Sequence, residues 1–320
     1  MAAIIANAPI DLVGRVDESF LAAHAIPKGA TLTLRDADAA GALFSAFDVA
    51  AASTGGVRAF PGGCGANIAA DMASLGGCVS LVAPFGSGPN GELARDDLTR
   101  RGVRIAGFET GETHLSLLTA VTQDGERSFA VHGGQGHQAP ADSLNTLASD
   151  RFLVLDGHLL DDPACTATLV RHATEAMPPA QALVVCPNGP EVIANSRMAL
   201  EALLARATLI LLSETEALEL TACSGIEQAL GILQARGLAG AITLGARGVI
   251  VFDTGAHTIV PAERVPAEDI VNTNGAGDAF AAGYLRGLEQ GMALAEAGAL
   301  GCHTAARVIR LHGARLEPFD

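Results

Sequence analysis

Residues 272–281 read NTNGAGDAFA, a glycine-rich turn that leads into a run of small apolar residues. The side chains of Gly275, Ala276 and Gly277 are minimal, so an anion can approach the backbone N–H groups where a helix would begin. Asp278 follows at once, and a carboxylate there can accept a hydroxyl proton while the amides stabilise a phosphoryl group. An ordinary turn before a core helix also fits this stretch, and the rest of the chain decides between the two interpretations.

The composition excludes several classes of protein. Among 320 residues, 20 Lys and Arg against 35 Asp and Glu give a formal net charge of −15, which argues against DNA or RNA as a partner. The mean hydropathy is +0.33, yet polar residues interrupt each apolar run before the length that a membrane span needs. The start, MAAIIANAPID, lacks the basic residues of a signal peptide, so we expect a first strand and a cytoplasmic protein.

Short aliphatic runs alternate with amphipathic segments along most of the chain. This alternation predicts an α/β protein whose central, mostly parallel sheet is covered by helices on both faces. Ligands of such sheets bind at the carboxyl ends of the strands. The predicted strands are VSLV (79–82), FLVLDG (152–157), ALVVC (182–186), TLILL (208–212), AITLG (241–245) and GVIVF (248–252). The predicted helices span residues 67–75, 92–101, 164–176, 197–206, 215–222 and 227–236.

Two stretches interrupt this alternation. Residues 12–54 are polar and irregular, and residues 114–136 read as a β-hairpin with Asp124 and Gly125 at its turn. We expect both to form β-structure outside the main sheet and to pair into a lid that excludes water from a reaction below it. The predicted domains are an α/β core of residues 1–11, 55–113 and 137–320 and a discontinuous β lid of residues 12–54 and 114–136.

A second glycine-rich element, FPGGCGAN, occupies residues 60–67. Gly62 and Gly63 let the backbone approach a ligand, and Asn67 offers both a donor and an acceptor to a polyhydroxyl substrate. Asp11 follows the first apolar run, where its carboxylate can accept two hydrogen bonds from neighbouring hydroxyls. Taken alone, a helix cap or a turn explains each of these residues equally well.

The cysteines and histidines do not form a recognisable site. Six cysteines occur without a C-x-x-C pair, and nine histidines occur without H-E-x-x-H spacing. We therefore expect neither a zinc site nor a disulfide framework.

Taken in this order, the elements resemble the ribokinase-like (PfkB) family of carbohydrate and nucleoside kinases. Residues 272–278 match the D-T-x-G-A-G-D signature of that family, and residues 62–77 match its Gly-Gly signature ahead of an Asn-containing helix. The resemblance spans nearly the whole chain and implies a three-layer α/β/α core with a small β-sheet lid. The finer pattern is most similar to the bacterial adenosine-kinase-like branch, through FLAAHAIPKGATLTL (20–34), SLLTAVTQDGERSF (116–129), LDGHLLDDP (155–163) and HGARLEP (312–318).

The resemblance implies a phosphotransferase that uses ATP and Mg²⁺ and acts on a hydroxyl of a small sugar or nucleoside. Its N-x-x-E element corresponds to SETE at 213–216, and its T-L-G-x-x-G element corresponds to residues 243–248. The implied residues are the general base Asp278 with an anion hole of Gly275, Ala276 and Gly277; the substrate-binding Asp11, Gly62, Gly63 and Asn67; the Mg²⁺-linked Glu216, acting through water; and Thr243, Gly245, Gly248 and His303 beside the nucleotide.

The chain departs from the family pattern near these residues. Asn272 replaces the first Asp of the signature, which the family often uses near a monovalent cation, so the implied K⁺ activation is in doubt. Ser213 replaces the Asn of the N-x-x-E element. Residues 85–91 and 186–189 also lack carboxylates that relatives often carry.

Three functions therefore stay open. The chain is a kinase for a nucleoside such as adenosine, a kinase for a free sugar such as ribose or fructose, or a degenerate member that binds a nucleoside or nucleotide without turnover. The intact Asp278 and glycine amides favour an active kinase. Phe20 and Phe129 are candidates for stacking on a base. A monomer and a homodimer through the lid agree equally well with the sequence.

Overall fold

The structure is a computed structural model that describes residues 1–34, 36–132, 144 and 150–318. Residues 133–137, where the predicted lid ends and the core resumes, lie outside the described residues. The described strands are β1 (Ala2–Ile5), β2 (Ile10–Arg15), β3 (Thr31–Leu34), β4 (Arg58–Pro61), β5 (Val79–Val82), β6 (Pro84–Ser87), β7 (Arg104–Ile105), β8 (Phe108–Thr113), β9 (Ser116–Val121), β10 (Arg127–His132), β11 (Phe152–Asp156), β12 (Ala182–Cys186), β13 (Leu209–Ser213), β14 (Ala239–Thr243), β15 (Val249–Phe252) and β16 (His257–Val260). The described helices are α1 (Glu18–Ala23), α2 (Ala37–Ala51), α3 (Cys64–Ser74), α4 (Pro89–Arg100), α5 (Pro163–Arg171), α6 (Pro190–Asn195), α7 (Arg197–Leu204), α8 (Glu214–Thr221), α9 (Ile226–Ala235), α10 (Ala276–Glu289) and α11 (Leu294–Val308).

The large sheet has the strand order β16-β15-β14-β13-β12-β11-β1-β5-β7 within the described residues. The strands from β14 to β7 are parallel to their neighbours, and β15 and β16 add an antiparallel edge. Parallel neighbours require crossover connections, which the intervening helices supply. The predicted α/β class with a mostly parallel sheet is confirmed.

Helices cover both faces of this sheet. In β1, Ala2 and Ile4 pack into one core with residues of α3, α10 and α11, whereas Ala3 and Ile5 pack into a second core with residues of α5 to α9. Because successive side chains of a strand point to opposite faces, a strand buried on both sides is apolar at every position. This explains why the predicted strands read as continuous aliphatic runs, and it confirms the three-layer arrangement.

A separate five-stranded sheet, which we call the lid sheet, has the order β3-β10-β9-β2-β4. Strands β9 and β10 form the predicted antiparallel hairpin, and Gly125 at its turn has a φ of +84°, which favours glycine. The sheet also takes in residues that we assigned to the core, because β2 begins at Ile10 and β4 spans Arg58–Pro61. Strand β4 has only four residues and pairs with a strand far away in sequence, so its own residues gave little signal.

Residues 12–54 are not purely β-structure, contrary to our prediction. They include α1 and the 15-residue helix α2, which begins where the Asp36 carboxylate accepts a hydrogen bond from the Ala39 N–H at 2.7 Å. Leu43 and Phe47 of α2 are buried against Leu118 and other residues of the lid sheet. Small alanines between these apolar positions hid the helical period. The two helices therefore cover the outer face of the lid sheet.

Candidate active site

The predicted anion-binding turn lies at the first residues of α10. Gly275 precedes the helix with a φ of +77°, and a Cβ there would lie 2.5 Å from the Ala314 carbonyl oxygen, so this position requires glycine. The Ala276 N–H donates to the Thr273 carbonyl at 3.3 Å. The N–H groups of Gly277 and Asp278 lie in the first turn of the helix, where no helical carbonyl precedes them to accept the usual hydrogen bond. A Cβ on Gly277 would meet no atom within 4 Å, so the space in front of this turn is open to a ligand.

Asp278 stands in that first turn and is held by side chains of α3. The Asn67 Nδ2 atom donates to Asp278 Oδ2 at 2.8 Å, and the Cys64 thiol also hydrogen-bonds to this carboxylate. The pKa of Asp278 is raised to about 6, chiefly by burial and also by the charge of Asp156, although Asn67, Cys64 and His158 act in the opposite direction. A carboxylate with this pKa is ionised at neutral pH and is close in pKa to the value that suits a general base.

The substrate-binding residues predicted around Asp11 come together beneath the lid sheet. Asp11 lies on β2, and a Cβ on Gly62 would lie 2.6 Å from Asp11 Oδ2, so the carboxylate needs a glycine there. Gly63 has a φ of +90°, and a Cβ there would lie 2.5 Å from Pro9 Cδ. Burial raises the pKa of Asp11 to about 6, and the charge of Arg315 opposes that shift.

Sequence reasoning missed a buried carboxylate beside the base. Asp156 ends β11, is 2% exposed, and accepts hydrogen bonds from the Gly65 N–H at 3.1 Å and the Asn188 Nδ2 at 2.8 Å. A Cβ on Gly65 would lie 2.3 Å from the Cβ of Ala6, so α3 can approach β1 and β11 this closely only with glycine. An Asp directly after a buried strand was a usable signal, as it was for Asp11.

The predicted metal-linked residue lies in the same cleft as the base. Glu216 and Asp278 both line a cavity of about 240 Å³. Glu216 Oε2 accepts hydrogen bonds from the Ser213 N–H at 2.6 Å and the Ser213 hydroxyl at 2.9 Å, and the Glu216 N–H donates back to Ser213 Oγ at 3.3 Å, which completes the capping box of α8. Both bonds to the carboxylate end on Oε2, and among the described residues no hydrogen bond reaches Oε1, which leaves that oxygen as an acceptor for a ligand. Ser213 therefore retains a polar contact with the glutamate at the position where the family pattern has Asn.

Most of the predicted nucleotide-side residues line a neighbouring cavity of about 480 Å³. Thr243, Gly245 and Gly248 all contribute to its wall, and Thr243 also lines the cavity that holds Glu216, so the two cavities adjoin each other. His303 is not among the lining residues. Its Nδ1 atom instead lies 2.6 Å from Oε2 of Glu263, which does line the cavity.

Two features are absent from the described residues. The described part of the chain contains no group of three or more His, Cys, Asp or Glu side chains arranged to hold a metal ion. Across the same described residues, no helix has the length and apolar character that crossing a membrane requires.

These features define the class of protein. The Asp278 carboxylate lies in the first turn of a helix and faces a cavity at the carboxyl edge of a parallel sheet, which suits a phosphotransferase that acts on a hydroxyl group. The chain belongs to the pfkB family of carbohydrate kinases, because the family described as "pfkB family carbohydrate kinase" matches residues 32–319. The family assignment made from the sequence is confirmed.

Individual relatives support the same class. The chain is 30% identical over 243 residues to the aminoimidazole riboside kinase of Salmonella typhimurium, covering 70% of this chain and 72% of that protein. It is 34% identical over 128 residues to the cytidine kinase of Thermococcus kodakarensis, covering 40% of this chain and 46% of that protein. The solved structure of adenosine kinase from Sinorhizobium meliloti superimposes with a TM-score of 0.85 at 27% identity, covering 98% of this chain and 95% of that one.

Proposed function

We propose that this chain transfers the γ-phosphate of ATP to a primary hydroxyl of a nucleoside. The acceptor oxygen attacks the γ-phosphorus, a new P–O bond forms, and the bond from that phosphorus to the leaving ADP oxygen breaks. Asp278 takes the hydroxyl proton as the P–O bond forms. The first-turn amides at Gly277 and Asp278 stabilise the negative charge on the transferred group.

The observation that carries this proposal is the position of Asp278. Its carboxylate is fixed by Asn67 at 2.8 Å, lies in the first turn of α10, and borders the open space at Gly277. A degenerate binding protein would have no need for an ionisable base held at this point. Loss of either the carboxylate or the glycine would have removed that support.

Glu216 is the residue that we propose for Mg²⁺, through a bound water. Its carboxylate lines the same cavity as Asp278 and has one oxygen left after the contacts with Ser213. When bound, Mg²⁺ neutralises charge that develops on the phosphates. The capping box holds the glutamate side chain in place before any metal arrives.

The lid sheet favours a nucleoside over a free sugar. In the strand register, Asp11 lies opposite Phe60 and Leu117, and Leu117 lies opposite Val131. Cross-strand partners share one face of a sheet, so half-buried apolar side chains surround the carboxylate that we assign to the sugar. Phe129 is two residues before Val131 and lies on this face as well. A nucleobase has a large, flat aromatic face to bury against them, whereas a free sugar has a smaller ring that carries a hydroxyl on most of its carbons.

Phe20, the other stacking candidate, belongs to the interior of the lid. Its ring centroid lies 5.8 Å from that of Phe47 and 4.5 Å from that of His24, on the side covered by α1 and α2. We therefore propose Phe129, and not Phe20, as a base contact. The names of the three relatives, which denote kinases of adenosine, cytidine and aminoimidazole riboside, support a nucleoside acceptor.

The test is ATP-dependent product formation with Mg²⁺ against adenosine, cytidine, aminoimidazole riboside, ribose and fructose. We expect the highest kcat/KM for a nucleoside, and Phe129→Ala to raise KM for that nucleoside more than for either sugar. A higher kcat/KM for ribose or fructose than for any nucleoside would show that the acceptor is a free sugar and would contradict the nucleoside proposal. Ligand-induced stabilisation without turnover on any acceptor would contradict the kinase proposal itself.

A further inference from the structure

A buried arginine lies behind the candidate base. Arg315 follows the last helix, is 6% exposed, and donates from Nε to Asn67 Oδ1 at 2.8 Å and from Nη2 to the Gly62 carbonyl at 2.7 Å. Its Nη1 atom donates to Asp97 Oδ2 at 2.5 Å. One guanidinium therefore contacts both the Asn that holds the base and the glycine turn that lies against Asp11. The predicted site did not include this residue.

The chemistry of the two neighbours of Asn67 fixes the orientation of its amide. The Asn67 nitrogen donates to the Asp278 carboxylate, and the Asn67 oxygen accepts from Arg315. An ionised carboxylate only accepts hydrogen bonds, and a guanidinium only donates them. Rotating the amide by half a turn would place two acceptors against each other at Asp278 and two donors against each other at Arg315. Arg315 thus selects the end of the amide that faces the base.

We infer that Arg315 is a positioning residue for phosphoryl transfer, which holds the Asn67 amide toward Asp278 and anchors the Gly62 carbonyl beneath the substrate. This inference rests on the function proposed above. Arg315 joins the segment after α11 to the residue that holds Asp278 and to the turn at Gly62, and among the described residues none of its hydrogen bonds ends on Asp278 itself. The contact between residues 67 and 315 spans 248 positions of sequence.

Asp97 on α4 holds the arginine, and Arg101, the other partner of Asp97, offers a matched control. Asp97 is 8% exposed and also accepts two hydrogen bonds from Arg101 Nε, each at 3.0 Å. Arg101 donates to the Leu316 carbonyl as well, so it ties the same segment to the core. The hydrogen bonds described for Arg101 involve neither Asn67 nor Gly62. A change at Arg101 therefore loosens the surroundings of Arg315 without removing its contacts to the site.

The protonation of Asp278 gives a readout that a purely structural role would not move. The groups around this carboxylate are Asn67, Cys64 and Asp71 from α3, Asp156 from the end of β11 with His158 just after it, Cys186 from the end of β12, and Glu216 across the shared cavity. The hydrogen bond from Asn67 lowers the pKa of Asp278. Loss of the arginine removes one of the two contacts that orient the amide, so the hydrogen bond from Asn67 to Asp278 weakens and the pKa of Asp278 should rise. Loss of Arg101 leaves that bond in place.

The variants are Arg315→Met and Arg315→Lys, with Arg101→Gln as the control. We expect each Arg315 variant to lose at least about tenfold in kcat, the equivalent of ~1.4 kcal/mol, with the acid limb of the pH–rate profile moved to higher pH. A lysine retains the charge beside Asp97 but cannot reproduce the three-way contact of the guanidinium, so Arg315→Lys tests the idea even where Arg315→Met fails to fold. Arg101→Gln should stay within about threefold of wild type, without a shift of the limb.

Two further measurements separate positioning from general destabilisation. If Arg315 acts through Asn67, Arg315→Lys added to Asn67→Ala should lower kcat little beyond Asn67→Ala alone. Losses that multiply, or a limb that moves equally in Arg101→Gln, would overturn the inference. Titration of the Asp278 carboxyl by NMR needs no turnover, so it tests the inference even if the proposed activity fails. A higher pKa of Asp278 in Arg315→Lys than in Arg101→Gln supports the inference, and equal pKa values in the two variants contradict it.

Discussion

Gly277→Ala is expected to stabilise the folded protein and to disable the enzyme. A Cβ at this position meets no atom within 4 Å, and the residue lies in the first turn of α10 without a positive φ. Replacing such a helical glycine with alanine stabilises a protein by about 0.4–1 kcal/mol, because the unfolded chain loses conformational freedom. In a chain of this size that change raises Tm by roughly 1–3 °C.

The same methyl group occupies the space where we place the transferred phosphoryl group. Removing a single stabilising contact to such a group costs about 10²–10³ in kcat, and a displacement of ~1 Å in the reacting atoms costs a comparable factor. We therefore expect kcat to fall at least about 100-fold, with a smaller change in KM for the nucleoside. Steady-state kinetics with ATP and the preferred acceptor, together with a thermal melt, measure both effects.

Gly231→Ala is the matched control. Gly231 lies inside α9, a Cβ there also meets no atom within 4 Å, and the residue is not among those that line the two cavities. It should show the gain in Tm without the loss of kcat. If Gly277→Ala retains most of the wild-type kcat, the phosphoryl group does not lie against this turn and the reasoning is refuted.

Three further predictions follow from the site. In Gly62→Ala, the new Cβ would lie 2.6 Å from Asp11 Oδ2, where ordinary contact begins near 3.4 Å. The Asp11 carboxylate must therefore move by ~0.8 Å, which should lower kcat/KM by about 100-fold, mainly through KM. An unchanged KM would be evidence against Asp11 as a substrate ligand. Because Asp278 and Asp11 each have a pKa raised to about 6, kcat/KM should fall at least about tenfold per pH unit below that pH, as the carboxylates take up protons. If kcat/KM stays flat down to about pH 5, Asp278 is not the base and Asp11 is not a substrate ligand. The Asn272 side chain accepts a hydrogen bond from the Asn274 N–H and donates one to the His312 carbonyl, each at 3.1 Å, and it carries no charge to attract a cation. Replacing Na⁺ with K⁺ should therefore change the wild-type rate by less than about twofold, whereas Asn272→Asp should gain K⁺ stimulation. Strong activation of the wild type by K⁺ would disprove this prediction.

The sequence predicted secondary structure well where consecutive residues share one environment, such as a strand that is buried on both faces. Strands buried on both faces must be apolar throughout, so runs such as FLVLD at Phe152–Asp156 could be located within one or two residues. The glycine-rich turn at 275–278 also predicted the start of a helix, and α10 begins at Ala276. Both signals come from residues that are neighbours in sequence.

The parts that were missed depend on contacts between distant residues. Strand β4 (Arg58–Pro61) exists because β2 offers an edge to pair with, and its own four residues do not require a strand. Helix α2 has alanines between its buried positions, so its apolar period was faint. Arg315 carries no local pattern at all, because its role comes from reaching Asn67 on α3. His303 was placed by location alone, and its ring pairs with Glu263 instead of lining the cavity.

The central claim is that Asp278 accepts the proton of the attacking hydroxyl. The most direct measurement is the single-turnover rate of phosphoryl transfer in Asp278→Asn, with nucleoside affinity measured in parallel by calorimetry. Asp48→Asn, an exposed change on α2, serves as the control for a lost charge. The account predicts a rate loss of about 10²–10⁴ with the nucleoside still bound. A variant that retains transfer within about tenfold of wild type would contradict it.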